Sequence, residues 1–273
     1  MDVLTHSDIA KIAPAVYNKG KHERTSRRYA FIPTDRIIND LCEVDWYPVH
    51  VESVHSRKQS ISHAKHMLRF RSRNDMSVKH EKTGDVIMPE LVITNSHDGK
   101  NAFRAHIGIF RLACSNTLLI SDEFGERQSM RVTHKGYDKK TVLKIINYTI
   151  DGFSQVFKNI EQYRETNMSM QEQIDMAEKA INLRWQYNYI RPDGIEPEMF
   201  LKRRRLQDVE NNLWNTYNVI QENMSRGGII AYNKKGRRIV TRPIKNVREN
   251  LRFNKAIWSL LDKTYKGKND HNR

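Results

Sequence analysis

The apolar positions change period near the middle of the chain. In the first half they alternate with polar ones, as side chains of half-buried strands do. Tyr29 to Ile32 reads as a short strand. Thr34-Asp35 then caps a helix in which Ile37, Ile38 and Leu41 recur at helical spacing. Tyr47, Val49 and Val51 alternate with Pro48 and polar residues, which predicts a second strand. From Lys65 the alternation sharpens: Leu68 and Phe70 fall on one face, Arg69, Arg71 and Arg73 on the other. Val86 to Thr94 predicts a further strand, and Pro89 within it argues for an edge or a bulge. Ala102 to Ile109 follows. Between these two, Asn95-Ser96-His97-Asp98-Gly99 carries the Asp-Gly signal of a hairpin. The strand-rich part ends near Met130 to His134.

In the second half the spacing becomes three and four. Val142, Ile145, Ile146, Thr149, Phe153, Val156, Phe157, Ile160 and Tyr163 predict one helix of about six turns. After Asn167-Met168-Ser169, a second helix carries Ile174, Ala177, Ala180, Ile181 and Leu183, and Pro192-Asp193-Gly194 is a turn. A third stripe, Leu206, Val209, Leu213, Tyr217, Ile220 and Met224, stops at Gly227-Gly228. Residues 229–241 read as a hairpin around Asn233-Lys234-Lys235-Gly236. A last helix, from about Val247 to Lys263, presents Leu251, Trp258 and Leu261.

Strands first and helices later predict an α+β fold: a strand-rich N-terminal half with an antiparallel sheet, then a helical C-terminal half with a basic β-hairpin. The expected division is a flexible basic lead-in over residues 1–28, a β-rich half over 29–137 and a helical half over 138–273, forming one integrated domain. A chain of 273 residues is long enough to bury such a core.

Charge changes this picture. Lys and Arg number 47 against 32 Asp and Glu, a net charge of +15 that attracts phosphate backbones. The surplus is local. Residues 202–255 hold 14 basic and 4 acidic side chains, and residues 57–82 hold 8 and 2, so the rest of the chain is slightly acidic. On the strand after Lys65, Arg69, Arg71 and Arg73 would stand about 7 Å apart, near the spacing of successive phosphates. The second window contains Arg203, Arg204 and Arg205, then Lys234, Lys235, Arg237, Arg238 and Arg242 on and beside the hairpin. Aromatic rings lie close by. Phe70, Trp214 and Tyr217 read as core, whereas Tyr232 on the hairpin is suited to stacking on a base.

Much chemistry is missing. No phosphate-cradling G-x-x-x-x-G-K-S/T or G-x-G-x-x-G loop occurs, so neither nucleotide hydrolysis nor a dinucleotide cofactor is indicated. No H-E-x-x-H and no paired Cys ligands occur; Cys42 and Cys114 read as small buried hydrophobes of a reducing compartment. His63 and His66, three apart, and His97-Asp98 with His106 in a neighbouring hairpin could converge on a metal, but their spacing does not require an ion. Ser96-His97-Asp98 are consecutive and cannot form a catalytic triad. No catalytic residue, metal or cofactor is assigned. No apolar run approaches the roughly 20 residues of a membrane helix, and Met1 to Ala10 lacks a signal-peptide pattern, so a cytoplasmic location and no membrane partner are expected.

The stretch Leu91 to Leu119 resembles the phage- and plasmid-encoded proteins of domain-of-unknown-function family 932. Asn95 to Gly99 match its N-S-H-D-G turn, and Arg111, Cys114, Asn116 and Leu118 match its R-x-x-C-x-N-G-L segment, with Thr117 where Gly is usual. His66 to Arg71, Arg131 to Gly136 and Asn254 to Leu261 are similar too. The resemblance implies a mobile genetic element and genes of DNA replication or recombination nearby; it implies no catalytic residues. The expected function is therefore single-stranded DNA binding or strand annealing, without catalysis, by a homo-oligomeric ring or filament. Lys65, Arg69, Arg71 and Arg73 would form one phosphate track, and Arg203 to Arg205 with the hairpin another. Inhibition of a host defence protein or host enzyme is the alternative, and a metal-dependent nuclease the third reading.

Overall fold

The computed structural model describes residues 2–26, 29–54, 61–74, 76–114, 116–119, 131–132, 138–186 and 191–270. The fold is α+β, with an antiparallel sheet in the N-terminal half and helices in the C-terminal half. Two compact units share the chain. One comprises residues 1–78, 88–110 and 122–153, the other residues 79–87, 111–121 and 154–273.

The first unit is built on strands β1 (Trp46–Ser53), β2 (His66–Ser72), β4 (Val86–Asn95) and β5 (Phe103–Arg111), adjacent in that order, with β7 (Arg131–Val132) paired to β5. A two-residue strand, β3 (Val78–Lys79), pairs with β4. In β2 and β4, Leu68 lies opposite Ile93 and Phe70 opposite Leu91, all four wholly buried. Helices α1 (His6–Ile12), α2 (Thr34–Cys42) and α3 (Lys139–Asp151) complete the unit. Ile37, Ile38 and Leu41 of α2 are buried, as their spacing predicts.

Several expectations for this unit are corrected. Tyr29 to Ile32 is not a strand. It is held by single bonds instead: the Tyr29 hydroxyl donates to Ser96 O at 2.8 Å and Asn95 Nδ2 donates to Ile32 O at 3.0 Å. Thr34 does not cap α2 but opens it. It is fully buried, with its hydroxyl 2.8 Å from His66 Nε2. In β1 the register shifts between Pro48 and His50, so Trp46, Pro48 and Val51 face inward rather than Tyr47, Val49 and Val51. Strand β4 is interior, between β2 and β5, not an edge. Pro89 is tolerated because the ladder to β2 runs from Leu91 to Asn95 and asks no donor of it. Residues 1–28, expected as a flexible lead-in, carry α1 and a 3-10 turn at Pro14–Tyr17, with Ile9, Ala13, Ala15 and Val16 wholly buried. The charges at 19–28 drew attention from a short helix ahead of them that buries Ile9.

The second unit is mainly helical: α4 (Phe153–Glu165), α5 (Met170–Arg184), α6 (Leu213–Arg226) and α7 (Val247–Asp270), with β6 (Asn116–Leu119) against α7 and a hairpin of β8 (Ile230–Tyr232) and β9 (Arg238–Val240). Phe153, the first residue of α4, belongs to the first unit, where its ring stacks on Trp46. The single long helix predicted from Val142 to Tyr163 is two, because the chain turns at Gly152. Ser169 caps α5 through a box with Glu172. The third helix starts at Leu213, not Leu206. Leu206 lies in a 3-10 turn and is 87% exposed, and Val209 is exposed as well. Asn212 caps α6 by accepting from the Asn215 amide at 2.8 Å.

Helix α6 is buried from Leu213 to Met224, polar residues included. Trp214, Tyr217 and Trp258 of α7 form its aromatic centre, with ring centroids 5.7 to 6.3 Å apart. Beside them Arg111 Nε donates to Asp85, Arg111 Nη2 lies 2.7 Å from Asp208, and Arg164 and the Trp214 indole also reach Asp85. Two carboxylates and two guanidinium groups thus balance in a buried network. Among the described residues no helix is long and apolar enough to cross a membrane.

Candidate nucleic-acid interface

The C-terminal hairpin is fixed by its backbone, by Asn233 at the tip and by the Thr241 hydroxyl, which accepts from the Ile229 amide at 3.0 Å. Gly227 ends α6 at φ +66°, and the Gly228 amide donates to Thr241 O at 2.9 Å. Ile230 pairs with Val240, Ala231 with Ile239 and Tyr232 with Arg238. At the tip the Gly236 amide donates to Asn233 O at 2.8 Å, and Asn233 Oδ1 accepts from the amides of Lys235 and Arg237 at 2.9 and 3.1 Å. Gly236 supplies the left-handed residue, φ +69°, that such a turn requires. None of the cationic side chains is spent on holding the loop. Lys234, Lys235, Arg237, Arg238 and Arg242 are all exposed, and no carboxylate among the described residues pairs with them.

One face of the ribbon is turned in and one out. Ala231 is buried and Ile239 half-buried, whereas Ile230, Tyr232, Arg238 and Val240 are exposed. Tyr232 is anchored at its backbone, which exchanges hydrogen bonds of 2.8 and 2.9 Å with Asp193. Its ring lies over Gly194 and is still 45% exposed. Next to β9 lies a cavity of about 590 Å³, lined by Arg184, Trp185, Ile239, Arg242, Ile244 and Lys245 among others.

The other predicted site residues are placed differently. Arg205 closes on the buried Glu222, its Nη2 2.5 Å from Oε1, and Arg226 reaches the same oxygen at 3.0 Å. Burial alone would push the Glu222 carboxyl up, but hydrogen bonds from Arg205 and Arg226 hold it below its ordinary value. Arg204 Nε donates to Asn223 at 2.7 Å, and Arg203 Nη1 to Val209 O at 2.8 Å, though both remain exposed. In the first unit, Arg69 and Arg71 both turn onto Glu90, at 3.3 and 2.7 Å, and Glu90 is fully buried. The Arg71 guanidinium also stacks 3.7 Å from the Phe110 ring centroid. Burial presses the Arg69 guanidinium below its ordinary value, against the pull of Glu90. Lys65 is half-buried, and Arg73 is exposed beside the Tyr47 ring. Phe70, Trp214 and Tyr217 are core.

His66 and His97 are buried, with ring centroids 5.3 Å apart, and His97 packs on Phe31. Among the described residues no three His, Cys, Asp or Glu side chains converge as a metal-holding group. Cys42 and Cys114 are free thiols, half-buried and buried. Trp185 and Arg184 were not singled out by sequence. The one available signal was an aromatic residue directly after an arginine at a helix end.

Comparison with known proteins adds kinship. The family model described as "Domain of unknown function (DUF932)" matches residues 21–258. Two proteins of Escherichia coli (strain K12), UPF0380 protein YfjQ and UPF0380 protein YafZ, are each 30% identical over 267 residues, covering 95% of this chain and 90% of the relative. No solved structure matches the chain.

Proposed function

This chain belongs to the DUF932 family, a domain of unknown function, and we propose that it binds nucleic acid, single-stranded DNA above all, through its C-terminal hairpin. The observation that carries this reading is the hairpin's five exposed cations without a carboxylate partner among the described residues, set beside an exposed tyrosine. Elsewhere in the two windows Arg69 and Arg71 lean on the buried Glu90, and Arg205 on the buried Glu222. Charge that is already neutralised inside a fold adds little to phosphate attraction. Charge that is exposed and faces no carboxylate keeps that attraction. An exposed ring such as Tyr232 gains most from bases that are not already stacked in a duplex, which favours a single strand.

Fluorescence anisotropy with a labelled single-stranded oligonucleotide, titrated across a salt series, tests the reading. Affinity is expected to fall steeply with salt, with a slope of about −0.7 for each phosphate neutralised. Replacing Lys234, Lys235 and Arg237 by Ala is expected to shallow that slope by about two units. Absence of binding at low salt, or a slope unchanged by these substitutions, overturns it.

A further inference from the structure

We infer that the cavity beside β9 receives a single unstacked nucleobase of the bound strand, a step that rests on the function proposed above and assigns its base-contacting site. The cavity lies wholly in the second unit, where α5 ends, β9 leaves the hairpin and α7 begins. Its volume of about 590 Å³ falls in the range of ordinary ligand pockets, about 300–1,000 Å³.

The lining divides into three kinds of surface. Trp185, half-buried at the end of α5, offers an aromatic plane, with the Arg184 guanidinium 5.5 Å from its ring centroid. Ile239 and Ile244 supply apolar walls. Arg242 and Lys245, both exposed, supply cations at the rim, and Arg242 continues the basic run of the hairpin. A planar, apolar-faced group carrying an anion one bond network away is what such walls accommodate, and a nucleotide within a strand is that group. The wall is also preorganised. Arg184 Nη2 donates to Arg242 O at 3.2 Å, and Arg252 clamps Glu249 at 2.7 Å while donating to Leu183 O at 2.8 Å. The end of α5, the base of the hairpin and the first turn of α7 are therefore tied together around the cavity. Thr241, Asn246 and Glu249 also line the cavity, with Glu249 already held by Arg252, so stacking on Trp185 is the contact offered to every base alike.

The test compares two labelled oligonucleotides of equal length and equal phosphate count, oligo-dT and its fully abasic counterpart. The abasic strand is expected to bind about tenfold more weakly. Val240→Trp, which places bulk at an exposed residue of the cavity wall, is expected to lower oligo-dT affinity to that of the abasic strand. Trp185→Ala should do the same. Equal affinities of the unmodified protein for the two strands overturn the base pocket and leave the polyanion reading standing. Failure of both strands to bind at low salt removes the functional reading and the pocket together.

Discussion

Arg111 Nε donates to both oxygens of Asp85, at 2.9 and 3.1 Å, from a side chain that water does not reach. Asp85 also serves Arg164 and the Trp214 indole, so one carboxylate gathers the end of β5 and helices α4 and α6. Burial alone would lower the Arg111 pKa, but Asp208 and Asp85 raise it above its ordinary value, so the guanidinium stays charged. Removing one member of such a network strands the opposite charge in the core. Asp85→Ala is therefore expected to cost about 3–5 kcal/mol, read as a lowered urea midpoint with little change in slope. A loss below about 1 kcal/mol would mean the network is solvated in solution.

How far the sequence revealed this fold depended on whether local pattern or long-range pairing decided each element. The hairpin at 229–241 was legible because Asn233 and Gly236 write their own turn, with no help from the rest of the chain. The first arginine window was not, because the acid that takes up Arg69 and Arg71 is Glu90, on the neighbouring strand. Alternation correctly separated those arginines from Leu68 and Phe70 but could not say what covered them. Leu206 and Val209 continued the apolar spacing of α6 backwards, yet the Asn212 cap, a local signal, marks the true start. The cavity joins residues 184–192 to residues 239–249, two stretches distant in sequence, which no single-window reading can find.

The two basic windows should respond differently to mutation. Glu90 is fully buried between Arg69 and Arg71, so Glu90→Gln removes the charge that both guanidinium groups face. A stability loss of about 2–4 kcal/mol is expected, measured by urea unfolding. Arg71→Ala is expected to behave similarly, because it leaves Glu90 short of a partner and uncovers Phe110. Lys234→Ala and Lys235→Ala should change stability by less than about 0.5 kcal/mol, being exposed and unpaired among the described residues. A thermal melt that drops equally for both sets would contradict this division.

Acid should loosen the first unit before its ordinary carboxylates titrate. Burial lowers the His66 pKa to about 4, and burial together with His66 and His63 lowers that of His97 to about 3. Both rings are neutral in the folded chain near neutrality, whereas in the unfolded chain they take up protons near their ordinary 6.5. The unfolded state therefore binds more protons below that value. Stability is full above pH 6.5 and falls as the pH drops toward the folded values. Each ring contributes a loss on the order of 2 kcal/mol by pH 5. Urea midpoints at pH 7.5, 6 and 5 measure it, and His97→Phe, placed beside Phe31, should flatten the profile by about half. A pH-independent midpoint across this range would contradict the buried neutral rings.

Gly227 sets the direction in which the hairpin leaves α6. Its φ of +66° and ψ of −148° lie in a region essentially reserved for glycine. A Cβ there would also stand 2.6 Å from Thr241 O and 2.7 Å from the Arg242 carbonyl carbon, both backbone atoms that cannot swing aside. Gly228, at φ +85°, has nothing within 4 Å of its would-be Cβ. The two glycines thus separate strain from collision. Gly228→Ala should cost about 1 kcal/mol, the backbone term alone. Gly227→Ala should cost about 3 kcal/mol or more and should also move the segment after β9 that carries Arg242. Oligonucleotide affinity, measured well below the unfolding midpoint, is expected to survive the first substitution and to weaken at least severalfold with the second. Equal effects on affinity would mean that the position of Arg242 relative to α6 does not matter for binding.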